Sequence, residues 1–297
     1  MRKLLLGLLL FTAVTARAQT LRIAVYQYAD NPRTKNLQPL ATYLQQQLGI
    51  ATAVKSYPTV HGLIKGMQTG EVDVAFISTF GYLLLQAGKE SHPMLPVAAL
   101  VAPGAKDNYK TAFVARKDAG IASFESLKQT GAGKRMAFVA SGSTSGNLVP
   151  RLLLNGVGIG SAEAHFAAVN YAGTHRKALE WLVADSADVA AMGITEWERL
   201  DSAQKTSLRV LAFSDEIPLG PVLLNKNLNK KLRENITREL LQLHKSDGAA
   251  LEGIKAAWSE AKQATHFIAI QSNYYNPYLA QFGEKKMIAR IIQQFIQ

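Results

Sequence analysis

The chain of 297 residues contains no cysteine. It therefore has no disulfide, no thiol nucleophile, no thiolate metal ligand and no cysteine to carry a lipid anchor. Beyond its first residues it also lacks a continuous apolar run long enough to cross a bilayer. It has no dense cluster of Lys and Arg with interleaved aromatic residues, which argues against nucleic acid as a partner. Internal repeats and low-complexity linkers are missing as well.

The N-terminal segment has the pattern of a secretory signal. Arg2 and Lys3 precede a short apolar core, and the segment ends in Ala-Arg-Ala. This order predicts a cleavable signal peptide over residues 1–18. Export without a lipidated cysteine then predicts a periplasmic protein that is not anchored to the membrane.

What the chain does carry is positive charge. Its 33 Lys and Arg residues outnumber its 22 Asp and Glu residues, for a formal net charge of +11. Positive surface charge attracts anions over a long range and speeds their capture, an effect that salt weakens. The charge balance therefore favours an anionic ligand.

Predicted strands and helices alternate along the chain. Short apolar runs predict strands at residues 21–26, 51–57, 72–77, 97–101, 111–116, 135–140, 164–169, 189–192, 208–213 and 221–225. Apolar residues at helical spacing predict helices between them, and the chain after residue 228 is expected to be largely helical, ending in a helix over 277–295. Such alternation predicts an α/β fold with mostly parallel sheets flanked by helices.

The length of the chain and the lack of a flexible linker predict how it is divided. A chain of this length is better split into two lobes than packed around one core. Without a linker, strands must cross between the lobes as a hinge, and 111–116 and 208–213 are the candidates. Lobe 1 then comprises residues 19–112 and 213–297, and lobe 2 comprises residues 113–212. The ligand is expected in the cleft between the lobes.

Residues 141–146, of sequence SGSTSG, follow a predicted strand and precede a helical pattern. Helix N-termini bind anions, and the hydroxyl groups can cap the helix or donate to a ligand. The loop has no lysine and does not fit the pattern GxxxxGK[ST], so a small tetrahedral oxyanion is favoured over a nucleotide. An ordinary serine-rich turn is the alternative. Pro150 lies about one turn into this helix, where a missing hydrogen bond predicts a late start or a kink.

Several segments in sequence order resemble one protein family. They are LRIAVY, VHGLIKGMQTGEVDVAFISTFGY, NYKTAFVARKDAGIASFESLK, RMAFVASGSTSGNLVPR, GTHRKALEWL, DVAAMGITEWERL and IPLGPVLLNKNL, and they span roughly residues 21–228. The chain resembles the periplasmic phosphonate-, phosphite- and phosphate-binding proteins of ABC importers. The resemblance implies a type II periplasmic binding protein fold, in which two lobes close over the ligand.

The resemblance also implies which residues hold the ligand. In the family a Ser-Thr-Ser run at a helix N-terminus holds the phosphorus oxyanion, and a tyrosine, a histidine and in some members a glutamate complete the site. The matching positions here are Ser143, Thr144, Ser145, Tyr109, His175 and Glu196. Tyr82 is a further candidate to line the cleft from lobe 1.

Four of these residues have a purely structural alternative. Tyr109 could seal the lobe junction, His175 could be an exposed first-turn residue, and Tyr82 could belong to the core. Glu196 lies in the first turn of a predicted helix, where acidic residues are favoured in any case.

Two positions depart from the members that bind aminoalkyl phosphonates. Those members have a tyrosine where this chain has Val60, and an aspartate where it has Gly220. Loss of the aspartate removes an anchor for a ligand ammonium. Phosphate, phosphite, a small alkyl phosphonate or an unrelated anion is therefore expected rather than an aminoalkyl phosphonate.

The expected function is capture of a small phosphorus oxyanion by a monomer that delivers it to an ABC permease in the inner membrane. The sequence offers no nucleophile–base pair, and Glu163, His165 and His175 lack the spacing of a metal site, so no catalysis, metal or cofactor is expected. One alternative is a binding protein that signals to a membrane receptor kinase. Another is an enzyme of related fold, a pyrimidine-precursor synthase, which the export signal disfavours.

Overall fold

The computed structural model describes residues 20–104 and 109–296. The predicted signal peptide lies outside these ranges. Across them, no helix is both long enough and apolar enough to span a lipid bilayer.

The described residues form a regular succession of strands and helices. The strands are β1 (Leu21–Tyr26), β2 (Thr52–Tyr57), β3 (Val74–Phe76), β4 (Met94–Val101), β5 (Thr111–Arg116), β6 (Arg135–Phe138), β7 (Ala168–Tyr171), β8 (Val189–Gly193), β9 (Leu208–Phe213), β10 (Pro221–Asn225) and β11 (His266–Ala269). The helices are α1 (Thr34–Leu48), α2 (Val60–Gln68), α3 (Thr79–Ala87), α4 (Leu127–Thr130), α5 (Val149–Gly156), α6 (Ala162–His165), α7 (His175–Val183), α8 (Ile194–Glu198), α9 (Ser202–Thr206), α10 (Lys230–Ser246), α11 (Gly248–Ala257), α12 (Asn276–Ala280) and α13 (Lys285–Gln293). A π-helical turn, Thr144–Leu148, leads directly into α5.

Within the described chain the strands assemble into two sheets. One has the order β11-β4-β10-β3-β1-β2 and takes its strands from both ends of the chain, and the other has the order β7-β6-β8-β5-β9 and takes them from the middle. Successive strand residues face different hydrophobic cores, as Ile23 and Ala24 do in the first sheet and Phe113 and Val114 do in the second. Each sheet is therefore covered on both faces, and the expected two-lobed α/β class is confirmed.

Both sheets are mixed, which corrects the expectation that they are mostly parallel. In the first sheet β1 is parallel to β2 and β3, but β10 is antiparallel to both of its neighbours and β11 to β4. In the second, β6 is parallel to β7 and β8, but β5 is antiparallel to β8 and β9. β5 and β10 are the first strands after the chain passes between the sheets. When the chain arrives from the other lobe, its next strand starts at the end of the sheet where the parallel strands finish. That strand therefore runs antiparallel to them.

The two passages of the chain between the sheets lie side by side. β5 and β9 are hydrogen-bonded neighbours. Just outside these strands, the Ser214 N–H donates to the Thr111 carbonyl at 3.0 Å, and the Ile217 N–H donates to the Tyr109 carbonyl at 2.7 Å. Backbone hydrogen bonds thus join the two crossing segments next to Tyr109.

Pro150 lies in the first turn of α5, directly after the π-helical turn. It has no N–H to donate to the carbonyl groups of Ser145 and Gly146 one turn earlier. Both carbonyls have other partners, because Thr111 Oγ1 donates to the Ser145 oxygen at 2.8 Å and the Val139 N–H donates to the Gly146 oxygen at 2.9 Å. The helix therefore accommodates the proline without leaving a carbonyl group unbonded at this point.

Three local predictions differ from the structure. The strand predicted over 164–169 is divided between the end of α6 and the start of β7. β11 lies in a region expected to be helical, and it is a short edge strand that depends on its pairing with β4. The helix predicted over 277–295 is divided into α12 and α13 at Gly283, whose φ of 112° favours glycine.

Gly220, directly before β10, is enclosed by backbone. A Cβ at this position would overlap the Ile77 carbonyl oxygen, and moving either segment would disturb the pairing of β10 with β3. We expect Gly220→Ala to lower the free energy of unfolding by about 3 kcal/mol, the upper part of the range for overpacking. Gly160→Ala is the matched control, since no described atom lies within 4 Å of its added Cβ. Urea unfolding measures both variants, and equal stabilities would refute the steric argument.

Candidate functional site

A cleft of about 460 Å³ lies between the two lobes. One wall consists of the loops that follow β1, β2 and β3, together with the C-terminal end of α11. The opposite wall consists of the loops that follow β6 and β7. Loops at the carboxyl ends of strands are the usual place for ligands in α/β folds. The cleft is therefore the candidate site.

The loop after β6 carries the predicted Ser-Thr-Ser run. Ser143 caps the π-helical turn, because its Oγ accepts a hydrogen bond from the Gly146 N–H at 3.1 Å. Ser143 and Thr144 both line the cleft. The N-terminal end of this helix, with its partial positive charge, therefore faces the space between the lobes.

Thr144 connects this loop to the other lobe. Its Oγ1 accepts a hydrogen bond at 3.0 Å from the Phe80 N–H, in the first turn of α3. Nearby, Ser78 Oγ donates to the Gly142 carbonyl at 3.3 Å, and Val60 packs so closely on Gly142 that a side chain there would overlap it. The N-termini of two helices, one from each lobe, therefore meet at the same side of the cleft, where their dipoles favour an anion.

Ser145 is fully buried behind the cleft wall. Its N–H donates to the Tyr109 hydroxyl at 3.2 Å. Its own Oγ has no hydrogen-bond partner in the part of the chain that the structure describes. Tyr109 lines the cleft, and burial raises the pKa of its phenol far above the usual range, so the phenol stays protonated and can donate a hydrogen bond.

His175, at the start of α7, faces the cleft as a neutral imidazole. Burial lowers its pKa to about 4, and the charge of Arg33 acts in the same direction. Its Nδ1 accepts from the Gly193 N–H at 3.0 Å, so in the neutral ring the proton is on Nε2, which can donate to an anion. Its backbone N–H donates to the Tyr28 hydroxyl at 3.0 Å, a further contact between the lobes.

Three of the seven expected site residues do not line the cleft: Ser145, which is buried behind its wall, Glu196 and Tyr82. Glu196 is 7% exposed; its Oε1 accepts from Arg199 Nη1 at 2.7 Å, and its Oε2 is buried without a hydrogen-bond partner among the described residues. Tyr82 is 1% exposed and packs in the core, with its ring centroid 5.5 Å from that of Tyr275. Among the residues described, no three His, Asp or Glu side chains lie close enough together to hold a metal ion.

Two residues that the sequence pattern did not single out do line the cleft. Arg33 is 3% exposed, and its guanidinium stacks against the rings of Tyr26, Tyr28 and Trp258. Glu260 lies on the same side of the cleft, and burial raises the pKa of its carboxyl while the Arg33 charge opposes that shift. The only signal for Arg33 was its position in the loop after the first strand, and Glu260 had no signal because it is distant in sequence.

A family model described as the periplasmic substrate-binding protein of phosphonate ABC transporters matches residues 23–274 of the chain. The chain belongs to this family. The resemblance on which the site residues were chosen is thereby confirmed.

Relatives and solved structures agree with this family. The phosphate-import protein PhnD of Mycolicibacterium smegmatis is 34% identical over 143 residues, which are 46% of this chain and 43% of that protein, so less than half of the relative is matched. A binding protein component of an ABC phosphonate transporter from Pseudomonas aeruginosa has a TM-score of 0.66 at 19% identity, over 93% of this chain and 94% of that one. PhnD1 of Prochlorococcus marinus, in complex with methylphosphonate, has a TM-score of 0.68 at 18% identity, over 93% and 98%.

In this family member the two departures noted in the sequence have structural causes. Val60 fills the space in front of Gly142 and contributes to the contact between the lobes. Gly220 is enclosed by the backbone around Ile77, so no acidic side chain fits there. Neither position supplies an anchor for a ligand ammonium.

The lowered pKa of the half-buried His175 predicts a pH dependence of stability. Its pKa is about 4 in the folded protein, below the ordinary 6.5, so between these values the unfolded chain binds more protons than the folded one. We expect this contribution to be complete above pH 6.5 and to be lost as the pH falls towards 4, by at most about 3 kcal/mol in the free energy of unfolding.

Urea unfolding of wild type and His175→Gln between pH 7 and pH 4 measures this effect. The stability difference between the two proteins should decrease as the pH falls, and an NMR titration of the wild-type imidazole should report a low pKa. An imidazole that titrates near its ordinary value would contradict the burial argument.

Proposed function

We propose that this family member captures a small phosphorus oxyanion in the cleft and delivers it to an ABC permease, acting in the periplasm as a monomer. The observation that carries the proposal is the convergence of neutral hydrogen-bond donors on the cleft. Thr144 and Tyr109 can donate from their hydroxyl groups, and His175 can donate from Nε2. The two helix N-termini at Ser78 and Ser143 add a positive potential without a charged side chain.

These donors are sufficient for useful affinity. A hydrogen bond to a charged acceptor contributes roughly 1.5–3 kcal/mol. Four of them contribute up to about 12 kcal/mol, which is of the same order as the roughly 8 kcal/mol of micromolar binding plus a part of the cost of ordering the ligand. No covalent step is required, and the proposed role is therefore binding and delivery without catalysis.

The contacts between the lobes support a closing mechanism. Phe80 with Thr144, Ser78 with Gly142, and His175 with Tyr28 each form a hydrogen bond across the cleft. In an open form these groups would separate about the paired crossing segments near Tyr109. An anion held by both walls would favour the closed form because only that form makes all of its contacts.

The proposed function is tested by calorimetric titration of protein purified without phosphate. Phosphate, phosphite, methylphosphonate and sulfate form the panel. At least one phosphorus oxyanion should bind, and at 100 times its Kd it should add about 2.7 kcal/mol to the free energy of unfolding. If none of the three phosphorus ligands binds or raises the melting temperature, the proposal fails. Stronger binding of sulfate would assign the cleft to a different oxyanion.

Ser145→Ala separates a ligand role from a structural one. The buried Ser145 hydroxyl has no partner within the described chain, so its removal should leave the stability of the ligand-free protein unchanged or raise it by about 1 kcal/mol. If a ligand oxygen is its partner, affinity for the phosphorus oxyanion should fall by about tenfold or more.

The control for this variant is Ser161→Ala. Ser161 caps α6 through a hydrogen bond to the Ala164 N–H and is remote from the cleft wall. Its replacement should cost about 1 kcal/mol of stability and leave affinity unchanged. Wild-type affinity in Ser145→Ala would remove this residue from the site.

A further inference from the structure

Arg33 is a buried cation that forms no ion pair within the described part of the chain. The guanidinium carbon lies 4.4 Å from the ring centroid of Trp258, 4.9 Å from that of Tyr26 and 5.3 Å from that of Tyr28. Its Nη1 makes one long hydrogen bond, at 3.4 Å, to the Tyr26 carbonyl. Nε is buried and has no hydrogen-bond partner among the described residues, and no described carboxylate forms an ion pair with the guanidinium.

Burying the Arg33 guanidinium in this way costs free energy unless an anion binds next to it. A buried charge loses its hydration, and contacts with aromatic rings replace only part of that loss. The backbone of Arg33 is also left-handed, with φ at 62°, a conformation that is unfavourable for a residue with a side chain. A desolvated, strained cation in a cleft wall is the kind of group that a ligand stabilises.

The cleft has room for more than one anionic group. Its volume is about 460 Å³, whereas a water molecule takes about 30 Å³ in the liquid, so a phosphate or methylphosphonate fills only a small part of it. Arg33 belongs to the wall formed by the loop after β1, and the Ser-Thr-Ser run belongs to the opposite wall. An oxyanion held by Thr144 and His175 therefore leaves Arg33 available to another part of the same ligand.

One acid, Glu260, lies on the same wall as Arg33, and the Arg33 charge favours its ionised form. Glu260 forms no ion pair with it, and burial raises the pKa of the Glu260 carboxyl. Glu260 therefore retains a proton more readily than an exposed glutamate and opposes an incoming anion less strongly.

We propose that Arg33 is a specificity-determining residue that binds a second anionic group, so that the preferred ligand is a phosphoryl compound with a carboxylate at its other end. This rests on the proposed function of the cleft and assigns its substrate class. A guanidinium binds a carboxylate through two parallel hydrogen bonds, a geometry that a lysine ammonium does not provide.

Calorimetric titration with 3-phosphonopropionate and its neutral amide, 3-phosphonopropionamide, isolates the effect of the carboxylate. Wild type should bind the carboxylate about tenfold or more tightly than the amide. Arg33→Met keeps an unbranched side chain among the aromatic rings and should abolish this preference in a protein that still binds methylphosphonate. Phosphoglycolate in place of 3-phosphonopropionate distinguishes a phosphate ester from a phosphonate as the source of the phosphoryl group.

Two further variants complete the design. Arg290→Met removes an exposed arginine of α13 and should keep the wild-type preference, which separates a local effect from a change in net charge. Arg33→Lys keeps the charge without the two-pronged geometry and should retain part of the preference. It replaces Arg33→Met if that variant does not fold.

Each result has one meaning. Equal binding of the carboxylate and the amide by wild type overturns the proposal, as does a preference that survives in Arg33→Met. Loss of methylphosphonate binding in a folded Arg33→Met would show that Arg33 holds the phosphoryl group itself, and would also overturn it. If wild type binds neither methylphosphonate nor the longer ligands, the proposed function fails and not merely the role of Arg33.

Discussion

The hydrogen bond between the Phe80 N–H and the Thr144 hydroxyl is the contact on which the cleft depends. It joins the first turns of two helices from different lobes and brings their positive ends to one place. The Ser78–Gly142 hydrogen bond and the packing of Val60 on Gly142 keep the same two helix ends close together. A site for an anion is thereby built mainly from backbone and hydroxyl groups, whose dipoles act at short range.

The donors around the cleft are kept neutral by burial. The Tyr109 phenol has a raised pKa and the His175 imidazole a lowered one, so both can donate a hydrogen bond at neutral pH without carrying a charge. The high net positive charge of the chain acts differently, since it attracts anions from a distance and is weakened by salt. Capture and selection are therefore separate physical tasks, performed by different groups.

Much of the site was predictable from short stretches of sequence. The predicted bounds of β1, β5, β9 and β10 agree with the structure, since local periodicity encodes these elements. The strand–loop–helix order placed Ser143 and Thr144 at a helix N-terminus, where they are found. Tyr109 and His175 also line the cleft, whereas Tyr82 is in the core and Glu196 is paired with Arg199. For the last two, the side-chain direction depends on packing that no local pattern specifies.

The sequence by itself determined the family, the order of the strands from β1 to β10 and the Ser-Thr-Ser loop, because each is written in contiguous residues. Only the tertiary structure decided the antiparallel direction of β5 and β10, which follows from the side on which the chain enters each lobe. It alone brought Arg33 against Trp258, more than two hundred residues away in the chain. Such contacts arise when distant segments pack together, and the energy of that packing is absent from any single stretch of sequence.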